Sequence, residues 1–315
     1  MAHTTIVSAP GKVLLAGGYL VLDPTYTGLV IATSSRFYSV IRTKPESTSS
    51  SGTGARIVVK APQFDTATWE YVVSSQNGAA ITVQPIETVN GRNKFVEIAL
   101  QKTLALIQVL KGQSQGDSFI DQRSQLEIVI VGDNDFYSQR QTLEALSLPA
   151  TMSSLERLEP FAPQHTTLAA VHKTGLGSSA ALITTLVAAL LQHFELSPEL
   201  DLVHNMAQYV HCLAQGKVGS GFDVCSAVKG SQVYRRFNEK VLKSLMDREH
   251  VTGQEILDTV KPSPSWTTQT TPIVLPPLIR LVLADVDAGS DTPSFVGKVL
   301  KWRKENPEAG KSFLA

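Results

Sequence analysis

His172-Lys173-Thr174-Gly175-Leu176-Gly177-Ser178-Ser179-Ala180-Ala181-Leu182 is the stretch around which this chain is organised. A glycine-serine turn leads straight into an apolar run that continues through Ile183, Leu186, Val187, Leu190 and Leu191. Gly175 and Gly177 lack a Cβ, so the backbone there can adopt positive φ and approach a ligand closely. Ser178 and Ser179 are expected to cap the helix that follows. That helix is rich in Ala and Leu and free of proline. Its first turn presents unpaired N–H groups and the positive end of the helix dipole, which together form an anion site. The stretch therefore reads as a phosphate cradle; the plain alternative is an ordinary capped helix after a glycine turn. Gly175, Gly177 and Ala180 also fit the looser dinucleotide pattern. That pattern needs an acidic residue about 20 positions on, at the end of a second strand. Glu195 is the nearest candidate and sits in a turn, so the dinucleotide reading is weak. Gly310-Lys311-Ser312 ends like a P-loop, but position 305 is Glu where the first glycine belongs.

Upstream of the cradle the chain is rich in β signals. Residues 4–8 read as a strand, Ala9-Pro10-Gly11-Lys12 as a turn, and 13–22 as an apolar run with a glycine pair whose type periodicity leaves open. Alternating or β-branched runs follow at 29–32, 37–41, 56–60, 69–73 and 81–83. The Ser-, Thr- and Gly-rich 43–55 reads as a loop. Lys94–Leu110 has the apolar spacing of an amphipathic helix, 111–125 reads as a surface loop and 126–131 as a strand. Residues 139–163 are ambiguous. Downstream, 198–214 reads as a helix capped by Ser197 with Pro198 in its first turn. A second glycine loop follows, Gln215-Gly216-Lys217-Val218-Gly219-Ser220-Gly221-Phe222-Asp223-Val224. Residues 231–237 and 279–286 read as strands, 261–277 as a Pro- and Thr-rich connection, and 293–303 as a last helix. No internal repeat is visible.

With 315 residues, the chain can form about two domains with sizeable cores. Lys plus Arg and Asp plus Glu both number 28, for a formal net charge of +0. Nothing points to nucleic acid, which a basic stripe would accompany. The two cysteines, Cys212 and Cys225, have no metal-type spacing and read as buried free thiols in a reducing compartment. No signal peptide and no membrane-length apolar run are seen. The expectation is a soluble cytoplasmic protein with no membrane or nucleic-acid partner.

Three loops together carry a resemblance. Pro10-Gly11-Lys12-Val13-Leu14-Leu15-Ala16-Gly17-Gly18-Tyr19 resembles the first motif of the galactokinase, homoserine kinase, mevalonate kinase and phosphomevalonate kinase (GHMP) superfamily. The 173–182 stretch resembles its second motif, and Gly289-Ser290-Asp291-Thr292 with Phe295-Val296 its third. The 214–223 loop, Asp133-Asn134-Asp135-Phe136-Tyr137-Ser138 and Tyr234-Arg235-Arg236-Phe237 are similar to fungal-type phosphomevalonate kinases. The resemblance covers essentially the whole chain. It implies an α+β GHMP kinase fold, with an N-terminal part like domain 2 of ribosomal protein S5 and its left-handed β-α-β unit over 1–230. It implies a ferredoxin-like C-terminal part beginning in 231–315. It further implies ATP- and Mg²⁺-dependent phosphorylation of 5-phosphomevalonate to 5-diphosphomevalonate, a step in making isoprenoids and sterols.

By the same resemblance, Lys173, Thr174, Gly175, Leu176, Gly177, Ser178, Ser179, Ala180 and Ala181 hold the nucleotide, and Ser178 or Ser179 lies near the metal. Lys12 and Asp223 match the catalytic Lys and Asp. Lys12, Lys173, Ser220, Gly289 and Ser290 are expected at the substrate. Two departures stand out. Eleven residues before Asp223, where mevalonate kinases place a metal-holding Glu, this chain has Cys212, a poor ligand for a cation that prefers oxygen. Family members also continue well past the third motif, whereas this chain stops at Ala315. The expectation is a shortened form with an incomplete ferredoxin-like part, poor solubility and little or no kinase activity.

Phosphoryl transfer needs positioning and charge neutralisation more than covalent chemistry. Lys12 can supply positive charge; alone it would read as a surface lysine. An acceptor phosphate has a second pKa near 6 and is already largely deprotonated at pH 7, so a general base is dispensable. Asp223 then serves to orient Lys12 or the metal, or simply caps a helix. His172, His204 and His211 read as surface or core histidines. A nucleotide-sensing relative without catalysis, and a kinase with another acceptor such as mevalonate, stay open.

Overall fold

The structure is a computed structural model that describes residues 3–45, 54–74, 80–86, 91–112, 124–284 and 292–313. In chain order the elements are β1 (Thr4–Ala16), β2 (Thr27–Pro45), β3 (Ala55–Lys60), β4 (Thr68–Ser74), β5 (Thr82–Pro85), α1 (Lys94–Leu110), β6 (Ser124–Gly132), α2 (Arg140–Ala145), α3 (Met152–Leu155), α4 (Ser178–His193), α5 (Leu200–Gln215) and α6 (Phe222–Lys229). They continue with β7 (Gln232–Arg235), α7 (Lys240–Met246), α8 (Gly253–Val260), β8 (Gln269–Pro272), α9 (Thr292–Glu305) and α10 (Pro307–Phe313). Short 3₁₀ turns lie at Leu20–Leu22, Asn134–Phe136 and Pro264–Trp266.

One mixed sheet runs in the order β5-β4-β3-β6-β2-β7-β8, with β1 paired to β2 off that path. Among the described strands only β3 and β6 pair in parallel; the other pairings are antiparallel. β4 alternates strictly, burying Trp69, Tyr71 and Val73, as expected of a sheet with one face against a core. α1 and α4 cover that face, and α5 packs on them from outside. α4 buries Ala180, Ile183, Leu186, Val187, Leu190 and Leu191. A helix apolar nearly all round belongs in the interior, and α4 packs against β1, β2, α1, α5 and α6. α1 spans the expected residues, with the Asn93 side chain accepting from the Val96 N–H at 3.3 Å.

Several expectations are corrected. The 9–12 turn is part of β1. Pro10 pairs with Arg36 and Lys12 with Ala32, so Gly11 faces the extra residues 33–35 in a bulge. The runs 29–32 and 37–41 are likewise one long strand, β2, which extends through Pro45 where a loop was expected. Pairing on both edges, with β1 and β6, carries it across its polar residues. The expected 111–125 loop gives way to β6 two residues earlier than expected, at Ser124, and 113–123 lie outside the described residues. α5 starts at Leu200 rather than 198, with Glu199 as an N-cap that makes no side-chain capping bond. The 261–277 connection contains β8, which adds to the sheet through β7.

The largest correction lies at 279–286. Residues 279–284 form no strand, and 285–286 lie outside the described residues. Leu278 takes φ 74 and turns the chain out of line with β8. Val274 is 92% exposed and Val282 76%. A strand needs a neighbour's ladder as well as apolar side chains, and none of the described strands pairs with this run. α9 forms close to the expected 293–303 and packs on α10.

Candidate active site

Two glycine loops and one bulged strand converge at the N-terminal ends of α4 and α6. In the first loop Gly175 and Gly177 take φ 82 and 78. Gly177, not a serine, is the N-cap of α4. The expected serine caps are thus corrected: a left-handed glycine already turns the chain into the helix. Ser178 and Ser179 fall in the first helical turn, with their hydroxyls free for other partners. Ala180 and Ala181 are buried behind them, and the Ala181 N–H closes the turn on the Gly177 carbonyl at 3.1 Å. A Cβ on Gly175 would meet nothing within 4 Å, so the loop is open at that position.

The β1 bulge sets Lys12 on this loop. Its backbone N–H donates to the Leu176 carbonyl and its Nζ to the Gly175 carbonyl, both at 2.9 Å. Gly11 is required for this approach, because a Cβ there would lie 2.8 Å from Thr33 Oγ1 and 3.0 Å from the Leu176 carbonyl oxygen. The Lys12 ammonium also lies 5.6 Å from the centroid of the Phe222 ring, within cation–π range. Burial lowers the Lys12 pKa from its ordinary value, and the charge of Asp223 opposes that shift. Lys12 and Asp223, 211 residues apart in sequence, are thus close enough for their charges to interact.

The loop is anchored from below. Lys173 bridges Tyr137, the Thr174 N–H donates to the Phe136 carbonyl at 3.2 Å, and the Thr174 hydroxyl donates to the Asp135 carbonyl at 2.6 Å. Asp133 holds the neighbouring strand by accepting from the Arg36 N–H at 2.7 Å.

The second loop enters α6 through Gly221, its N-cap, at φ 79. Asp223 sits in the first turn of α6, where a negative charge complements the dipole. Its Oδ1 accepts from the Val224 N–H at 2.9 Å. Gly221, not Asp223, caps α6, so the reading of Asp223 as a helix cap is corrected. The Ser220 carbonyl accepts from the Tyr234 hydroxyl at 2.7 Å. Buried Arg236 donates to the Leu22 carbonyl at 2.6 Å and to the Gly219 carbonyl at 2.9 Å, and pairs with Glu239 at 2.9 Å. This arginine ties the second loop to the turn that follows β1. Gly289 and Ser290 lie outside the described residues.

Cys212 and Cys225 are both free and buried. Burial pushes the Cys212 thiol up to about 11, so it stays protonated and is no cation ligand. Among the described residues no cluster of His, Cys, Asp and Glu could hold a metal by itself. The oxygen donors at the site are the hydroxyls of Ser178 and Ser179 and the Asp223 carboxylate. That set suits a hard cation only together with ligand phosphates.

Sequence reasoning missed His211. It is buried in α5, with Nε2 3.1 Å from Ser179 Oγ and 3.1 Å from Gln215 Nε2, and Nδ1 3.9 Å from Asp223 Oδ2. Arg236 was quoted only as part of a motif. A signal for the first did exist. His204, Gln208, His211 and Gln215 recur at helical spacing on α5, a polar stripe along an otherwise apolar helix. Gln208 belongs to the same stripe and donates to the Gly221 carbonyl at 2.6 Å.

Residues 165–231 match the GHMP kinases N terminal domain family. Those residues contain the first glycine loop, α4, α5, the second glycine loop and α6. The chain is 39% identical to phosphomevalonate kinase erg8 of Aspergillus fumigatus, over 96% of this chain and 66% of that protein. It is equally similar to the peroxisomal phosphomevalonate kinase of Arabidopsis thaliana, of which it covers 65%. Against phosphomevalonate kinase ERG8 of Gibberella zeae the identity is 38%, over 99% of this chain and 70% of that protein. The chain thus spans about two thirds of the length of the curated relatives it matches. Among solved structures, the Lin0012 protein of Listeria innocua superposes with a TM-score of 0.63 at 16% identity, covering 99% of this chain and 69% of that one; this likeness is one of fold. No helix of the described residues is long and apolar enough to cross a membrane. With the glycine-serine loop, the bulged Lys12 strand and α6 arranged as above, and with 38% identity extending over 70% of a full-length relative, the chain belongs to the phosphomevalonate kinase family of GHMP kinases.

Proposed function

We propose that this chain carries the nucleotide site and catalytic pair of an ATP-dependent kinase that transfers a phosphoryl group to the phosphate of 5-phosphomevalonate. The observation that carries this reading is the seating of Lys12 on the Gly175 carbonyl, beside a left-handed glycine loop, with the Asp223 charge in the first turn of α6 acting on it. The N–H groups at the start of α4 would hold the nucleotide phosphates. When bound, ATP supplies the transferring group and Mg²⁺ spreads its charge. Ser178, Ser179 and Asp223 are the residues that would hold the cation. An acceptor phosphate oxygen forms the new P–O bond as the bond to ADP breaks, and Lys12 offsets the negative charge shared between them. Because the acceptor is already largely ionised at pH 7, Asp223 acts by orienting Lys12 and the cation rather than by removing a proton. Lys173 and Ser220, at the rims of the two loops, are assigned to the acceptor, together with Gly289 and Ser290.

All these groups except the last two precede residue 230, so the nucleotide end of the site is assigned to 1–230, while β7 and β8 beyond it extend the same sheet. The buried free thiols fit a reducing compartment such as the cytoplasm, and imaging of a tagged chain against a peroxisomal marker checks that placement. The deciding assay for activity is ADP release with phosphomevalonate, with mevalonate and with no acceptor. Turnover that requires phosphomevalonate supports the reading; equal release in all three rejects it.

A further inference from the structure

The polar stripe of α5 ends at the candidate cation site. His211 is 4% exposed, and a buried imidazole must satisfy both ring nitrogens or lose hydrogen-bond energy. Two neighbours agree on where its proton lies. Gln215 presents its amide nitrogen, a donor, to Nε2 at 3.1 Å. Asp223 presents a carboxylate oxygen, an acceptor, on the Nδ1 side at 3.9 Å. The Gln215 donor requires an unprotonated Nε2, and the Asp223 charge, although beyond hydrogen-bond reach, favours a proton on the Nδ1 side. The Ser179 hydroxyl, 3.1 Å from Nε2, must then donate to it.

We propose that His211 is a positioning residue that fixes the direction of the Ser179 hydroxyl: the serine proton points into Nε2, so its lone pairs are turned outward for a divalent cation held with the nucleotide phosphates. This rests on the reading of the 175–181 loop as a nucleotide site. With Gly177 as the N-cap, Ser179 lies in the first turn of α4, and its hydroxyl finds its partner in His211 at 3.1 Å. The two serines differ accordingly, since Ser179 is the one tied to His211.

Two measurements on the whole chain test this. In the ligand-free protein, ¹⁵N-detected histidine NMR reads the tautomer directly. His211 is expected with its proton on Nδ1, and a proton on Nε2 overturns the proposal. Calorimetry then gives ADP affinity with and without Mg²⁺. In the unmodified chain Mg²⁺ strengthens ADP binding. His211→Leu and Ser179→Ala should each cut that enhancement by up to about tenfold, the worth of one hydrogen bond, with metal-free ADP affinity nearly unchanged. His211→Gln, whose side-chain oxygen can accept the serine proton, should restore most of it and also serves if His211→Leu does not fold. An enhancement that survives both His211 variants while Ser179→Ala abolishes it overturns the role of His211. Failure of the unmodified chain to bind ADP at all would instead reject the nucleotide site, and the cation role with it.

Discussion

Gly177 at the start of α4 and Gly221 at the start of α6 hold almost the same backbone angle, φ 78 and 79, yet their surroundings are opposite. A Cβ on Gly177 would meet first the flexible Lys12 side chain, with Cε at 2.9 Å. A Cβ on Gly221 would lie 2.6 Å from Phe237 Cε1 and 2.8 Å from Gln208 Nε2, both in the packed interior. The first loop is open and set to receive a ligand; the second is filled from behind and holds Asp223 still. The same local geometry thus produces a cradle in one place and a support in the other. The difference comes from what the rest of the chain packs against each.

The largest test of this contrast is a matched pair of substitutions. Gly221→Ala should cost about 3–4 kcal/mol of unfolding free energy, adding overpacking to left-handed strain. Gly177→Ala should cost about 1–2 kcal/mol from the strain alone, while weakening nucleotide binding strongly because the new methyl displaces Lys12. Urea unfolding and ADP calorimetry on both variants check this, and equal stability losses would break the comparison.

If the two loops work as one unit, Lys12→Ala and Asp223→Ala should each lower turnover by about 10²-fold, and the double variant should lose less than the product. Independent, multiplying losses would show that the loops act separately. Asp223→Asn should keep the shape of the pH–rate profile, since no proton is taken from the acceptor; an acid limb that vanishes in this variant would make Asp223 a base.

Arg236→Met probes the support directly. It strips a charged donor from the Leu22 and Gly219 carbonyls, which should cost about 1–3 kcal/mol. KM for the acceptor should rise more than KM for ATP, because the second loop is loosened and the first is not. Equal KM changes would place Arg236 outside that division.

The smallest effect is a control at the far end of α4. His193 bonds to Thr5 at 3.0 Å and to Thr43 at 2.9 Å, and burial lowers its pKa to about 4. The folded state thus binds its proton less readily than the unfolded state. Stability is fully present above the unfolded value of about 6.5 and is lost as pH falls from there towards 4. The loss should be on the order of 1–2 kcal/mol, flattened in His193→Gln, with nucleotide affinity unaffected in either form at neutral pH. A change in ADP affinity in His193→Gln would show that the two ends of α4 are coupled.

Local sequence determined a good deal of this protein. The glycine-serine loop, the helix behind it, α1 with its ends, and the alternation of β4 are legible because each depends on residues within a turn or two of one another. The nearness of the Lys12 and Asp223 charges was legible only through family resemblance, since nothing in the spacing links residues 211 apart. Tertiary structure alone decided the rest. The Pro10-Gly11-Lys12 bulge reads as a turn until β2 is laid beside it, and 279–284 reads as a strand although no described strand offers it a ladder. Gly177, not a serine, caps α4, and this frees the Ser179 hydroxyl for His211. Apolar pattern and backbone propensity act over a few residues, whereas register, pairing and the partner of a buried polar group are settled by segments far away in the chain. For that reason His211, an ordinary core histidine by sequence, becomes a link between the two glycine loops only when α4, α5 and α6 are packed together.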